Sequence, residues 1–172
     1  VFTNMTRDHL DYHADFVSYQ KSKQQLFAWE SLKTAIVNRD DEFGRRLCSS
    51  IGKGVEVFSV STSSSEADIN GKDIQFHDDG LSFSVCSPWG EAKVRSALMG
   101  RFNVQNLLST LGVICSQGYA LEEAVSVISE IGMVKGRMEV IRNPGQPTVV
   151  IDYAHTPDAL DKALQATKEH CR

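Results

Sequence analysis

The feature that most constrains the fold is a change in the spacing of apolar residues near residue 67. Between residues 67 and 97, apolar and polar residues alternate in short runs, as in strands with one buried face. The sequences DDG at 78–80 and SPWG at 87–90 separate these runs and are typical of tight turns. The pattern therefore predicts an antiparallel meander, which we expect to flank a main parallel sheet.

The residues before the meander follow a different pattern. A helix is predicted from about residue 15 to 32, and the short β-branched run TAIVN at 34–38 is typical of a buried strand. A second helix is expected to open at 38–41 and to reach about residue 51, before a strand at 55–60. Two strands joined by a helix are most simply a parallel βαβ unit. The polar residues 62–66 then link this unit to the meander.

After the meander, two further helices are predicted, one ending at Gly118 and one at about 121–131, followed by a strand near residue 140. Residues 143–147, NPGQP, form the clearest linker, and we place a domain boundary there. The fold class is therefore α/β. A central domain at 1–142 precedes the first strand and helix of a Rossmann-like domain at 148–172.

A lysine interrupts the apolar face of the first predicted helix. At about 100° per residue, Lys23 falls within roughly 60° of four apolar residues, whereas Lys21 points roughly 160° away. Lys23 either extends its stem to water or is desolvated, and burial disfavours the charged amine. A neutral amine can add carbon dioxide, and the oxygens of the resulting carbamate suit a hard cation such as Mg²⁺.

Acids and histidines are concentrated just before this lysine, where residues 8–13 read DHLDYH. Carboxylate oxygens and imidazole nitrogens bind metal ions, so the sequence predicts a metal ion between this segment and Lys23. A zinc hydrolase that uses His9 and His13 is an alternative. The zinc-protease motif, however, requires glutamate where Leu10 stands.

Asn103 and Asn106 are three residues apart and share one exposed side of a predicted helix near its N-terminus. An asparagine amide can pair with both N6 and N7 of adenine. Asparagines in a first turn are also common helix caps, so the spacing leaves both interpretations open.

A second candidate site follows the linker. The strand at 148–151 ends at Asp152, and Thr156 and Pro157 are typical of a helix start. An acidic strand end, a short loop and a helix N-terminus together form the place where α/β folds hold nucleotides. His155 lies in this loop, where a hydrogen bond to the backbone is its alternative role.

Composition narrows the classes of function. The chain has 172 residues, 41% of them hydrophobic, and a formal net charge of -4 with no run of basic residues, which argues against nucleic acid as a partner. No apolar run approaches the roughly 20 residues that cross a bilayer, so we expect no membrane span and a cytoplasmic, monomeric protein.

Several strings together resemble the Mur ligase family. They are DHLDYH with Y-x-x-x-K-x-x-L-F at 8–27, G-x-F-N-x-x-N at 100–106, GRME at 136–139 and DYAHTPDAL at 152–160. The resemblance covers nearly the whole chain and is greatest to the branch that makes a UDP-N-acetylmuramoyl tripeptide. The related folylpolyglutamate synthetases, which are the alternative within this class of ligase, have a different loop where DYAHTPDAL stands.

The resemblance implies roles for individual residues. A carbamylated Lys23 and His9 would hold Mg²⁺, with Asp11 and His13 as further candidate ligands. Asn103 and Asn106 would contact adenine, and Arg137 would reach the ATP phosphates, although an arginine after a glycine is more often solvated or paired with an acid. Asp152 would bind the ribose hydroxyls, with Tyr153 and His155 lining the nucleotide site.

The resemblance also implies the reaction, an ATP-dependent addition of a diamino acid to UDP-N-acetylmuramoyl-L-alanyl-D-glutamate in peptidoglycan synthesis. The central domain would be of the parallel-sheet ATPase type. No G-x-x-x-x-G-K-[ST] phosphate loop occurs in the sequence, so we expect that loop before Val1. We therefore expect the chain to be an inactive fragment of a longer enzyme.

Overall fold

A computed structural model describes residues 1–6 and 15–170, and its main feature is a single five-stranded sheet. Its strands are β1 (Thr34–Asn38), β2 (Glu56–Ser61), β3 (Ile69–His77), β4 (Gly80–Ser87) and β5 (Gly90–Ser96). They lie in the order β1-β2-β3-β4-β5. β1, β2 and β3 are parallel, whereas β3, β4 and β5 are antiparallel. The predicted α/β class and the meander are confirmed, and the meander continues the parallel strands in one sheet.

Five α-helices accompany these strands in the part of the chain that the structure describes. They are α1 (Phe16–Gln25), α2 (Glu42–Ser50), α3 (Arg101–Ser116), α4 (Leu121–Ser129) and α5 (Pro157–Glu169). A 3₁₀ turn at Leu26–Ala28 extends α1. Two short strands, β6 (Glu139–Ile141) and β7 (Val149–Ile151), form a separate antiparallel pair.

The sheet has a hydrophobic core on each face. On one face, α3 and α4 cover Ile36, Val60 and Ile69, together with the inward side chains of the meander. On the other face, α1 and α2 pack near Ala35 and Val37. The alternation along β1 therefore sends successive side chains to opposite cores, which is why the TAIVN run is apolar throughout.

The first helix is shorter than predicted. Asp15 caps its N-terminus by accepting a hydrogen bond from the Ser18 amide at 2.7 Å, as its position suggests. The helix was expected to reach residue 32, but Trp29 is extended and 68% exposed. Phe27 is the last buried side chain of this segment, and the residues up to 31 bury none that would hold a further turn.

The C-terminal segment packs against the start of α3. Thr156 caps α5 and Pro157 is its first residue, as predicted. Met99, Met138 and Ala166 form a small buried cluster that joins the segment before α3, the residues before β6, and α5. β6 and β7 pair across the predicted linker at 143–147, so they bring the two sides of that linker together.

No helix within residues 1–6 and 15–170 is both long enough and apolar enough to span a bilayer.

Candidate functional site

A cavity of about 580 Å³ lies between α3, the loop before β6 and the start of α5. Thr3 and Asn4 contribute to its wall just after Phe2, which pairs in parallel with Val37. Asn38, the last residue of β1, lines it as well. The cavity therefore lies at the carboxyl end of parallel strands, the usual place for a ligand in α/β proteins.

Six of the residues predicted for a nucleotide site line this one cavity. They are Asn103, Asn106, Arg137, Asp152, Tyr153 and His155. They come from three segments that are far apart in the sequence: the first turns of α3, the loop before β6, and the loop between β7 and α5. The fold thus brings together side chains that sequence patterns had identified separately.

Asn103 and Asn106 do not cap α3. Its N-cap is Gly100, with no side-chain hydrogen bond to the first turn. Asn103 donates its amide to the Met99 carbonyl at 2.8 Å, and Asn106 donates to Oδ1 of Asn103 at 3.1 Å. Asn103 therefore orients Asn106, which is exposed and keeps one amide hydrogen and Oδ1 for a ligand.

Asp152 ties two segments of the cavity wall together. One carboxylate oxygen accepts from the Met138 amide at 2.9 Å, and the other accepts from the Ala154 amide at 2.8 Å. Met138 has a φ of 47°, a strained value for a residue with a side chain. This bond to Asp152 and the burial of Met138 hold that conformation. Each oxygen of Asp152 retains a lone pair for a further donor.

Tyr153 contacts two other residues of the cavity, Arg137 and His155. The Arg137 guanidinium lies 5.0 Å from the centre of the Tyr153 ring, and the ring of His155 meets Tyr153 edge-on at 5.2 Å. His155 Nδ1 lies 3.0 Å from the Tyr153 carbonyl oxygen, so this nitrogen makes the backbone hydrogen bond that was the alternative role of His155. Tyr153 is 64% exposed, which leaves an aromatic surface open to the cavity.

Lys23 lies outside the cavity. It is half-buried, and Nζ lies 5.1 Å from the centre of the Tyr19 ring, whereas Lys21 is exposed as predicted. His9, Asp11 and His13, together with the whole DHLDYH segment, fall outside the described residues. Within residues 1–6 and 15–170, no three His, Cys, Asp or Glu side chains cluster as a metal site. The Mg²⁺ site and the zinc alternative therefore stay predictions.

The sequence patterns missed several polar residues of the wall. Asn38 is buried, and Gln105 and Lys162 also line the cavity. Lys162 forms an exposed pair with Asp158 at 2.7 Å. Asn38 could have been predicted from the sequence, because it is a polar residue at the end of a buried strand, and α/β folds bind ligands at the carboxyl ends of their strands. Nothing in the sequence distinguishes Gln105 from its neighbours on α3.

Asp40 forms a polar junction behind this wall. Its carboxylate accepts from the Ser61 hydroxyl, from the Ser63 hydroxyl at 2.6 Å and from the Thr62 amide at 2.8 Å. Gln105 donates to it at 3.0 Å. Burial opposes ionisation of Asp40, but these hydrogen bonds outweigh it and lower the pKa of the carboxyl. Asp40 therefore fixes the loop after β2 against β1 and α3.

A cavity at the carboxyl edge of a parallel sheet, lined by amides, a carboxylate, an arginine and an aromatic ring, defines an α/β protein of the ligand-binding type. The chain belongs to the Mur ligase family. Residues 1–114 match the Mur ligase middle domain, and residues 136–172 match the Mur ligase, glutamate ligase domain. The resemblance that the sequence motifs indicated is confirmed.

Relatives and a solved structure support the same assignment. The chain is 44% identical over 171 residues to the UDP-N-acetylmuramoyl-L-alanyl-D-glutamate--2,6-diaminopimelate ligase of Neisseria meningitidis serogroup A, which covers 98% of this chain and 35% of the relative. It is 45% identical over 170 residues to the ligase of that name from Chromobacterium violaceum, with 98% and 34% covered. A solved structure of a ligase of that name superimposes with a TM-score of 0.84 at 34% identity, covering 99% of this chain and 35% of the other.

The chain thus spans about a third of the length of the curated relatives that it matches.

Proposed function

We propose that this chain is part of an ATP-dependent amide-bond ligase and that its cavity holds the nucleotide. The observation that supports this proposal is the convergence of six side chains from three distant segments on one cavity of about 580 Å³. Such a volume suits a nucleotide, since pockets for small ligands have roughly 300–1,000 Å³. The wall also offers the groups that a nucleotide needs, namely amides, a carboxylate, an aromatic ring and a cation.

Each group has a part in binding ATP. Asn106 would pair with the N6 and N7 edge of adenine, with its amide oriented by Asn103. Asp152 would accept hydrogen bonds from the ribose hydroxyls through its remaining lone pairs. Arg137 has no acidic partner within residues 1–6 and 15–170, so its guanidinium can turn from the Tyr153 ring to the phosphates. Tyr153 and His155 would form one side of the nucleotide site.

Lys23 suits the role of metal-holding carbamate. The residue is half-buried, and its amine lies 5.1 Å from the centre of the Tyr19 ring, with no ion pair to an acid among residues 1–6 and 15–170. Carbamate oxygens from Lys23, with His9, would hold Mg²⁺. When bound, the ion would neutralise the phosphate oxygens and align the phosphoryl donor with the carboxylate that accepts the phosphoryl group. Neither residue acts as an acid or a base in this scheme.

The reaction has two steps. The γ-phosphoryl group of ATP passes to the D-glutamate carboxylate of UDP-N-acetylmuramoyl-L-alanyl-D-glutamate, giving ADP and an acyl phosphate. The amine of the diamino acid then attacks the acyl carbon, phosphate leaves, and an amide bond forms. The names of the relatives point to 2,6-diaminopimelate as the diamino acid. We propose a monomeric enzyme that works in the cytoplasm on these soluble substrates.

Product analysis tests this proposal. The intact protein is incubated with ATP, Mg²⁺, the UDP-N-acetylmuramoyl dipeptide and either 2,6-diaminopimelate or L-lysine, and mass spectrometry follows the nucleotide-linked peptide. We expect the tripeptide with 2,6-diaminopimelate, together with ADP and phosphate in equal amounts. Product with L-lysine alone would overturn the choice of amino acid. A lack of product with both would overturn the ligase.

A further inference from the structure

A histidine outside the cavity joins the end of α5 to the start of α3. His170 Nε2 lies 3.0 Å from the Gly100 amide nitrogen, and Nδ1 lies 2.8 Å from the His77 carbonyl oxygen. The ring also meets Phe76 edge-on, with 5.1 Å between the ring centres. From the C-cap of α5, one half-buried side chain thus contacts both β3 and the residue that precedes α3.

The hydrogen bonds fix the tautomer of this ring. A carbonyl oxygen only accepts and a backbone amide only donates, so Nδ1 must carry the proton and Nε2 must accept. Two charged groups, Arg101 and Glu169, lie near the Phe76 ring that His170 contacts. Arg101 lies 5.4 Å from the centre of the Phe76 ring and 3.4 Å from Glu169, while the side chain of His77 bonds to Ser82 instead. Only the neutral ring with the proton on Nδ1 satisfies both neighbours.

The contact also completes an unusual helix start. The N-cap amide of a helix is often bonded by a side chain three residues on, but here that residue, Asn103, donates to Met99 and bonds Asn106. His170, seventy residues away in the sequence, accepts from the Gly100 amide instead. Gly100 has a φ of 85°, and a Cβ there would lie 2.7 Å from that of Ala166, so α5 approaches this backbone very closely.

We propose that His170 is a positioning residue that locks α5 onto the first turn of α3 and thereby sets the width of the cavity. α5 starts at the loop that carries Tyr153 and His155, and α3 carries Asn103 and Asn106. The two walls of the cavity are therefore held in register by a ring that does not line it. That the cavity takes a nucleotide rests on the proposed function, whereas the lock itself does not.

Nuclear magnetic resonance of the intact protein tests the lock without any ligand. We expect the ¹⁵N signals of the His170 ring to show the proton on Nδ1 and the Gly100 amide proton to exchange slowly. In His170→Ala, the side-chain amide signals of Asn106 and the ring signals of Tyr153 should shift. In Lys168→Ala, which changes an exposed residue of the same helix, they should stay in place. A ring proton on Nε2, or unmoved signals in His170→Ala, would overturn the proposal.

Conservative replacement separates positioning from simple stabilisation. Glutamine can place an acceptor where Nε2 lies, so His170→Gln should keep the Gly100 bond and bind an ATP analogue as the wild type does. His170→Ala should weaken that binding about fivefold to tenfold, the equivalent of one hydrogen bond. Equal binding by the alanine variant and the wild type would overturn the proposal. If the wild type binds no ATP analogue, the proposed function fails. The NMR spectra without ligand still show whether His170 positions α5 against α3.

Discussion

At the scale of single residues, Asp40 couples stability to pH. The pKa of its carboxyl is lower in the folded chain than the usual 3.8, because the hydrogen bonds from Ser61, Ser63 and their neighbours favour the ionised form despite burial. Its contribution is therefore fully present above about pH 4, falls as the pH drops through the folded pKa, and is absent below it.

Replacement of Asp40 checks this dependence. Asp40→Asn should lower the free energy of unfolding at pH 7 by about 1–3 kcal/mol, because the buried Ser61 and the half-buried Thr62 and Gln105 lose their charged acceptor. At pH 3 the difference from the wild type should shrink. Urea unfolding at both pH values measures it, with Asp161→Asn on the exposed side of α5 as the control. A difference of the same size at pH 3 and pH 7 would contradict the account of the pKa.

Asn106 is the residue on which the proposed recognition of adenine depends. In the intact protein, Asn106→Ala should weaken ATP binding by about 1–3 kcal/mol, since a bidentate amide contact to adenine is lost. Gln117→Ala, at the far end of α3, is the matched control and should bind ATP normally. Calorimetric titration measures both. If the alanine variant at 106 binds ATP as tightly as the control, adenine does not lie against this turn of α3.

At the scale of elements, α2 depends on a glycine. A Cβ at Gly44 would overlap the carbonyl oxygen of Asn38, so the helix lies directly on the end of β1. Gly44→Ala should destabilise the fold by more than about 3 kcal/mol even though alanine favours helices, because neither backbone can yield cheaply. Gly52→Ala meets nothing within 4 Å and should cost nothing measurable. Thermal unfolding of the pair measures the difference, and equal melting temperatures would refute the close approach.

Elements with one dominant signal were predictable from the sequence. β1 was predicted at its observed bounds because a short apolar β-branched run has few other uses. The meander was predicted because its turns carry Gly at residues 80 and 90, both with positive φ. The predicted end of α1 was wrong, since the helix was expected to reach residue 32, whereas the last buried side chain of the segment is Phe27. Helix length depended on packing partners that the local sequence does not contain.

The candidate site divides in the same way. Asn106, Arg137 and Asp152 lie in recognisable strings, so sequence patterns identified them. His170 and Asp40 do not, because their roles arise from contacts to residues distant in the chain. The helix start predicted at 38–41 lies at the last of these residues, Asp41, which caps α2 by accepting a hydrogen bond from the Gly44 amide. Contacts of this kind require the fold to be known.

At the scale of the whole molecule, the chain spans about a third of the length of its curated relatives, whereas the proposed ligase activity is that of a whole protein. The sequence holds no phosphate loop of the G-x-x-x-x-G-K-[ST] type, the motif whose backbone amides cradle the phosphates in many ATP enzymes. We therefore expect the 172-residue chain alone to form no tripeptide and to bind ATP weakly. Calorimetry and product analysis check this, and micromolar ATP binding by the chain alone would contradict it.

The cavity between α3 and the loop after β7 is the proposed binding site of ATP. A crystal structure of the intact protein with a non-hydrolysable ATP analogue and Mg²⁺ would show whether it is. We expect adenine against Asn106, ribose hydroxyls on Asp152 and phosphates near Arg137. An analogue bound elsewhere, with this cavity filled only by water, would contradict it.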